Sequence, residues 1–320
     1  MVTITQPPSE PAIAVCGVHK HYGALHAVDG VDLTVQRGEV FGLIGHNGAG
    51  KSTLFKMMLG LIPVSRGEIR VSGSRVDGPD FRAVRRHMGY LPENVVLYDN
   101  LSGLETLQFF ARLKGVPVDT CPATLERVGL THAAHRAVRE YSKGMRQRLG
   151  FAQALLGQPQ VLFLDEPTTG LDPEAIRAFY ATLRGLQDQG VTLILTSHIL
   201  AELQERVDRL AIMASGKIQA VGSVQALRDQ VNMPLSIHVL CAPADLATVQ
   251  GALAAVMGPG GADDSANLAL PDTEGGPIKV RCPRDAKMRV LAALAGLGAR
   301  VQDIHVFEPS LEDVFFGFAD

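Results

Sequence analysis

The sequence predicts an α/β fold, a largely parallel sheet flanked by helices, followed by a smaller α+β domain. Three observations carry that expectation. From about Ala12 to Gln230, short apolar segments alternate with longer amphipathic ones. Within that span, EVFGLIG (39–45), VLFLDE (161–166) and VTLILTSH (191–198) are nearly continuous apolar runs, as central strands covered on both faces must be. After Gln230 the texture shifts to shorter strand and helix patterns interrupted by a Gly/Pro/Asp-rich stretch, 258–276.

Taken in order, MVTITQPPSEP (1–11) is Pro-rich and reads as a disordered tail. It has neither a basic start nor an apolar core, so no signal peptide is expected. AIAVCGVHK and GVDLTV alternate as strands, EVFGLIG is a central strand, and TLFKMMLGL is helical. A turn at Tyr141–Met145 opens a further helix, VLFLDE and VTLILTSH come next as strands, and the first domain is expected to span 12–230. The remainder, 231–320, runs PLSIHVL, ADLATVQGALAAVM, GPIKVRC, DAKMRVLAALAGLG and ARVQDIHVF, a βαββαβ-like, ferredoxin-like order closed by a short helix, PSLEDVFFGF. No internal repeat is evident, so one such first domain is expected and not a tandem pair.

Composition narrows the function classes. The chain has 320 residues and a formal charge of −3, so no global field points to nucleic acid or an anionic membrane. Its four cysteines, Cys16, Cys121, Cys241 and Cys282, are scattered without C-x-x-C spacing, which fits reduced thiols and neither a disulfide framework nor a zinc site. No run of about 18 apolar residues occurs, so any membrane spans are expected from another chain.

Chemistry is concentrated in a few motifs. Gly45-His46-Asn47-Gly48-Ala49-Gly50-Lys51-Ser52, with Thr53 next, matches G-x-x-x-x-G-K-[ST] between a predicted strand and helix. Its glycines let backbone N–H groups turn inward as an anion nest at a helix N-terminus. Lys51 is expected to reach the β- and γ-phosphates of a nucleotide, and the Ser52 hydroxyl to ligate Mg²⁺. Asp165 and Glu166 end an apolar strand at the sheet edge where ligands bind. Asp165 suits the Mg²⁺ shell, and Glu166 can face a water beside the γ-phosphate as general base. His198 ends the strand one unit later and is expected beside the same phosphate.

Together with the Tyr141-Ser142-Lys143-Gly144-Met145 turn and the Gly170-Leu171-Asp172 loop, these motifs resemble the nucleotide-binding subunits of ABC transporters over about 12–230. The resemblance implies a P-loop NTPase fold of ABC type, with ATP and Mg²⁺ as cofactors. It implies that Tyr22 stacks on adenine and that Asp172 lies at a dimer interface. It also implies that two copies sandwich two ATP molecules head to tail, with Ser142 and Gly144 capping the γ-phosphate held by the other copy. An integral-membrane transporter subunit is the implied partner, at the cytoplasmic face of a bacterial inner membrane.

Two positions depart from the family pattern. The signature, usually L-S-G-G-Q, is here Tyr-Ser-Lys-Gly-Met, so Lys143 can add positive charge near phosphate. Glu93, in GYLPEN, stands where a glutamine normally serves Mg²⁺; a carboxylate can ligate the metal but lacks the amide's donors. The segment 93–115 is placed to receive a helix from the membrane subunit, although Leu107, Phe109, Phe110 and Leu113 can equally be helix core.

The wording GHNGAGKST, GYLPENV, NLSGLETLQFFARLKG, YSKGMRQRLGFAQALLG and PSLEDVF further resembles the ATPase of the transporter serving copper-site maturation of nitrous-oxide reductase. That resemblance implies indirect links to periplasmic copper-handling proteins. The nine methionines show no ligand spacing and read as core filling. An exporter ATPase for drugs, lipids, ions or polysaccharide is the alternative. A soluble ABC ATPase of ribosomes or DNA would carry a second nucleotide domain or long insertions, and a small-molecule kinase explains neither the Ser142 turn nor His198.

Overall fold

The computed structural model describes residues 10–197, 203–204, 206–231, 234–257, 268–269 and 277–308. His198, most of the expected N-terminal tail, most of the Gly/Pro/Asp-rich stretch and the terminal PSLEDVFFGF lie outside the described residues. The chain divides into two compact units, Met1–Val224 and Gln225–Asp320. The division falls at the start of a helix, Val224–Val231, whereas the sequence suggests its far end.

The first unit holds strands β1 (Ile13–Tyr22), β2 (Leu25–Val35), β3 (Val40–Ile44), β4 (Arg66–Val71) and β5 (Ser74–Arg75), then β6 (Met88–Leu91), β7 (Val161–Leu164), β8 (Thr192–Ser197), β9 (Arg209–Ala214) and β10 (Lys217–Gly222). Its helices are α1 (Lys51–Met58), α2 (Phe81–Arg86), α3 (Gly103–Lys114), α4 (Cys121–Arg127), α5 (Lys143–Leu155) and α6 (Pro173–Asp188). One sheet is antiparallel, in the order β2-β1-β4-β5, and the other runs β10-β9-β3-β8-β7-β6. In the second, β9-β3-β8-β7-β6 are mutually parallel and β10 is antiparallel at the edge. The expected α/β architecture is present.

Every residue of β3, β7 and β8 is buried, which is why these segments read as nearly continuous apolar runs. One core joins the two sheets through α1: Leu54, Phe55 and Met57 pack with Val15, Ile69, Phe41 and Phe163. Phe55 meets Phe163 edge to face at 5.5 Å. Burying each such side chain contributes about 1.5–3 kcal/mol, so the base of α1 is held firmly beneath the loop that precedes it.

Helix α3 starts with a capping box: Glu105 N–H donates to Ser102 Oγ, and the Glu105 carboxylate accepts from Ser102 N–H. It ends at Gly115 in the left-handed region, φ 74°. The apolar residues expected in this segment divide between core and surface. Leu107 is buried, Phe109 and Phe110 are half-buried, and Leu113 is 69 % exposed.

In the second unit, α7 (Val224–Val231) precedes β11 (Leu235–Cys241), α8 (Leu246–Met257), β12 (Leu268–Ala269), β13 (Ile278–Cys282), α9 (Lys287–Gly296) and β14 (Val301–Phe307). The strands form an antiparallel sheet in the order β12-β13-β11-β14. Alternate residues of β11 and β13 (Ile237, Val239, Ile278, Val280) pack with Val249 and Leu253 of α8 and with Val290 and Leu294 of α9. That period-2 burial is what the alternating sequence of PLSIHVL encodes.

Candidate active site

Strands β3, β6, β7 and β8 all end at one edge of the central sheet, so the loops leaving them converge there. The glycine-rich loop leaves β3. Gly45 lies so close to the chain crossing it that an added Cβ would stand 2.3 Å from the Met213 carbonyl oxygen. Gly50, at φ 105°, leaves no room either: a Cβ would meet the Ala27 carbonyl oxygen at 2.4 Å. The loop is thereby pinned, and it delivers the first turn of α1 with backbone N–H groups that have no partner within the helix. The turn between β9 and β10 supports it from outside, where Gly216 N–H donates to Ala49 O at 3.0 Å.

Lys51 is 7 % exposed, and its ammonium donates to the carbonyls of Gly45 (2.6 Å) and His46 (3.1 Å). Burial pushes its pKa below the ordinary lysine value, and Glu166, Asp165 and Glu93 partly restore it. A cation held in this way favours anionic company.

The two acids stand just beyond β7. Asp165 is 7 % exposed; burial pushes its carboxyl pKa up, while the Thr196 hydroxyl and the charge of Lys51 pull it back. Glu166 sits in the left-handed region at φ 49°, an uncommon conformation for a residue with a side chain. Thr196, near the end of β8 and fully buried, connects the pair. Its hydroxyl donates to Asp165 Oδ1 at 2.6 Å and accepts from Glu166 N–H at 3.0 Å. Glu93 stands beyond β6, and on β6 itself Tyr90 is half-buried. Burial, then the charges of Asp165 and Glu93, push the Tyr90 hydroxyl up to about 12, so it stays a neutral donor at physiological pH.

These groups border a cleft of about 650 Å³ lined by Tyr22, Asn47 to Thr53, Glu93, Asp165 and Glu166. Tyr22 is 50 % exposed and presents an open ring at the cleft mouth, with Lys20 Nζ 5.0 Å from the ring centre. Gly45 and His46 shape the loop without lining the cleft. Leu25, His26, Ala27, Ser215 and Gly216 complete the wall and belong to no motif legible in the sequence. Thr196 and Tyr90 stand behind it, within the VTLILTSH and GYLPEN segments, without a role the sequence assigns them. For Thr196 a signal exists: with Ser197 it is a hydroxyl placed right after the apolar run Leu193–Leu195.

Ser142, Lys143, Gly144, Met145 and Asp172 do not line this cleft. Ser142 is the N-cap of α5, its Oγ accepting from Met145 N–H at 3.2 Å, and Asp172 caps α6 by accepting from Ala175 N–H at 2.8 Å. The Lys143 side chain lies across the backbone of Gly170.

A family model for ABC transporters matches residues 28–169. The chain is 37 % identical over 290 residues to an uncharacterized ABC transporter ATP-binding protein, YhcH, of Bacillus subtilis, covering 90 % of this chain and 89 % of that one. It is 35 % identical over 311 residues to the daunorubicin resistance ATP-binding protein DrrA3 of Streptomyces coeruleorubidus, covering 96 % and 95 %. This chain belongs to the ABC transporter ATP-binding proteins. Its structure matches that of an ATP-binding subunit of an ABC transporter with a TM-score of 0.63 at 34 % identity, over 68 % of this chain and 92 % of the other. As an ABC ATPase the chain binds and hydrolyses ATP, and the cleft beside the glycine-rich loop suits that nucleotide. Among the described residues, no helix is long and apolar enough to cross a membrane.

Proposed function

We propose that this ABC ATPase works as a head-to-tail pair that closes over two ATP molecules and drives a separate membrane subunit at the cytoplasmic face of a bacterial inner membrane. One observation carries the dimeric part: the residues suited to gripping ATP from one side line a single cleft, whereas Ser142, Gly144 and Asp172 stand outside it. A second copy supplying those three would complete the site.

In this scheme the first turn of α1 and Lys51 hold the phosphates, with Tyr22 stacked on adenine. Glu166 accepts a proton from the attacking water, held in place by its N–H bond to Thr196. His198 is assigned to the γ-phosphate from its sequence position alone. The oxygen donors Ser52, Asp165 and Glu93 line the cleft together, and Mg²⁺ is ordinarily held by one or two carboxylates plus substrate phosphates, so the donor set fits that ion. Bound there, it would neutralise charge on the β- and γ-oxygens. Closure of the pair excludes water and completes the charge-stabilising set, so hydrolysis is gated by association.

The segment before and along α3 suits the membrane partner. Val96 (87 % exposed), Tyr98 (55 %) and Leu113 (69 %) are large apolar groups left in solvent, and the Tyr98 ring meets Phe109 at 5.6 Å. The second unit, with its ferredoxin-like order of elements, is assigned an accessory role outside the ATPase reaction. For the cargo, the close wording of GYLPENV and YSKGMRQRLGFAQALLG favours copper-site maturation of nitrous-oxide reductase, with periplasmic copper-handling proteins as indirect partners. Drug export is the second choice, supported by the near full-length likeness to the daunorubicin resistance protein. Neighbouring genes decide between them: a six-span membrane protein beside a periplasmic copper protein supports the first, and efflux components the second.

The dimer has a direct test. Glu166→Gln is expected to bind ATP, lose about 10²-fold or more in turnover and run as a dimer in ATP during size-exclusion chromatography. A monomer under those conditions, or near-normal hydrolysis, overturns the scheme.

A further inference from the structure

The start of α5 contradicts the electrostatics of helices. Lys143 is its first residue after the Ser142 cap, and no acidic residue stands in the first turn. The positive end of the helix dipole disfavours a cation at that position. The ammonium is therefore not there for the helix, and the stem explains the side chain better.

That stem lies on the backbone of Gly170. A Cβ built on Gly170 would fall 2.7 Å from both Cδ and Cε of Lys143, and 3.1 Å from Nζ. Gly170 itself is left-handed, φ 82°. On the other side the packing is ordinary van der Waals contact: a Cβ on Gly144 would meet Leu171 Cδ2 at 3.5 Å and Gly170 O at 3.6 Å. One turn further along α5, buried Gln147 donates through Nε2 to Pro167 O at 3.2 Å. The turn 142–145 and the loop 167–172 are thus interlocked within one chain, with the methylenes of Lys143 as the outermost clasp and its charge left toward water.

We infer that Lys143 is a positioning residue whose aliphatic stem, braced on Gly170, makes the Ser142 turn and the Asp172 loop a single rigid lip. The inference rests on the dimeric scheme above, in which that lip meets the nucleotide of the other copy. Without the brace, the Gln147 bond still ties the two segments at their base, but the outer lip carrying Ser142 and Asp172 is held less rigidly and their joint placement over a second site is degraded. ATP binding by one copy does not involve the lip and is unaffected.

Four variants test this: Lys143→Ala, Lys143→Met, Gly170→Ala and the Lys143→Ala/Gly170→Ala pair. Each is assayed for kcat and KM, for affinity toward a fluorescent ATP analogue, and for ATP-driven dimerisation with Glu166→Gln added. Lys143→Ala is expected to lower kcat on the order of ten-fold through misplacement alone, with analogue affinity unchanged. Lys143→Met, which keeps the stem and drops the charge, restores most of the rate. Gly170→Ala strains its left-handed backbone in either background but displaces the stem only where Lys143 is present, so it slows the Lys143→Ala protein less than it slows the wild type. If Lys143→Met is as slow as Lys143→Ala, or if the two substitutions add, the brace is overturned while the dimer stands. If the Glu166→Gln parent fails to dimerise with ATP, the dimeric scheme falls and this inference with it.

Discussion

Replacing Thr196 by valine keeps the shape of the side chain and deletes one hydroxyl, and the structure allows the consequence to be worked out. That hydroxyl makes two bonds: it donates to Asp165 Oδ1 at 2.6 Å and accepts from Glu166 N–H at 3.0 Å. The first is assisted by the carboxylate charge and contributes about 1.5–3 kcal/mol; losing the second strands a backbone donor at about 1–3 kcal/mol. Allowing for partial relaxation, about 3 kcal/mol of stability is expected to go. In a unit of this size that lowers Tm by roughly 6–12 °C in a thermal unfolding scan. The deficit should depend on pH. Burial already raises the folded pKa of Asp165, and the Thr196 bond opposes that rise. The bond therefore matters once Asp165 is ionised, so the loss grows as pH rises through the folded pKa and shrinks in acid. Turnover falls as well, because Glu166 loses the bond that fixes its backbone. Thr196→Ser, which returns the hydroxyl, recovers most of both. A Thr196→Val protein within about 0.5 kcal/mol of wild type, with unchanged kcat, would refute the assignment of Thr196 as the link between the acids.

The glycines of the phosphate loop should differ sharply in how far their replacement costs ATP binding. Gly45→Ala places a Cβ 2.3 Å from the Met213 carbonyl and is expected to cost about 1–3 kcal/mol and abolish ATP binding, whereas Gly48→Ala finds open space and bears only the strain of φ 85°, about 1–2 kcal/mol. Scanning fluorimetry with and without ATP compares them, and equal losses in both stability and binding would contradict the packing. On the alkaline side, the folded Tyr90 hydroxyl is held up at about 12 against an ordinary value of 10.0, so its contribution to stability is complete below pH 10 and disappears as pH rises toward 12. Tyr90→Phe should flatten that limb of the stability curve while leaving neutral pH unchanged; an unaltered limb would show that the proton is not held there.

The sequence is informative wherever function is written contiguously. The loop from Gly45 to Thr53 and the Asp165–Glu166 strand end are legible because each is one segment whose residues act side by side. Thr196 and Tyr90 are not, because their relation to the acids exists only through the strand order β3-β8-β7-β6, which joins residues far apart in the chain. The outer wall, Leu25 to Ala27 with Ser215 and Gly216, escapes for the same reason: it forms where the turn after β9 meets the start of β2. The segment along α3 cannot be sorted from its pattern, since Leu107 is buried and Leu113 exposed on one amphipathic helix. The charge of Lys143 suggests phosphate to a reader of the sequence, whereas in the fold its methylenes hold a neighbouring loop.

Ser142 accepts one bond from Met145 N–H to close the start of α5. A hydroxyl has one proton and two lone pairs, so accepting that bond leaves its proton to be offered outward. Aspartate or asparagine would close the helix equally well in most proteins, but aspartate would present an acceptor alone, and asparagine an amide of different reach. In the proposed head-to-tail pair the position therefore obeys two constraints that serine and threonine satisfy together, one from its own helix and one from the anion held by the other copy. On that scheme, substitutions that leave α5 fully folded still break the pair apart, and a stability screen would pass them unnoticed.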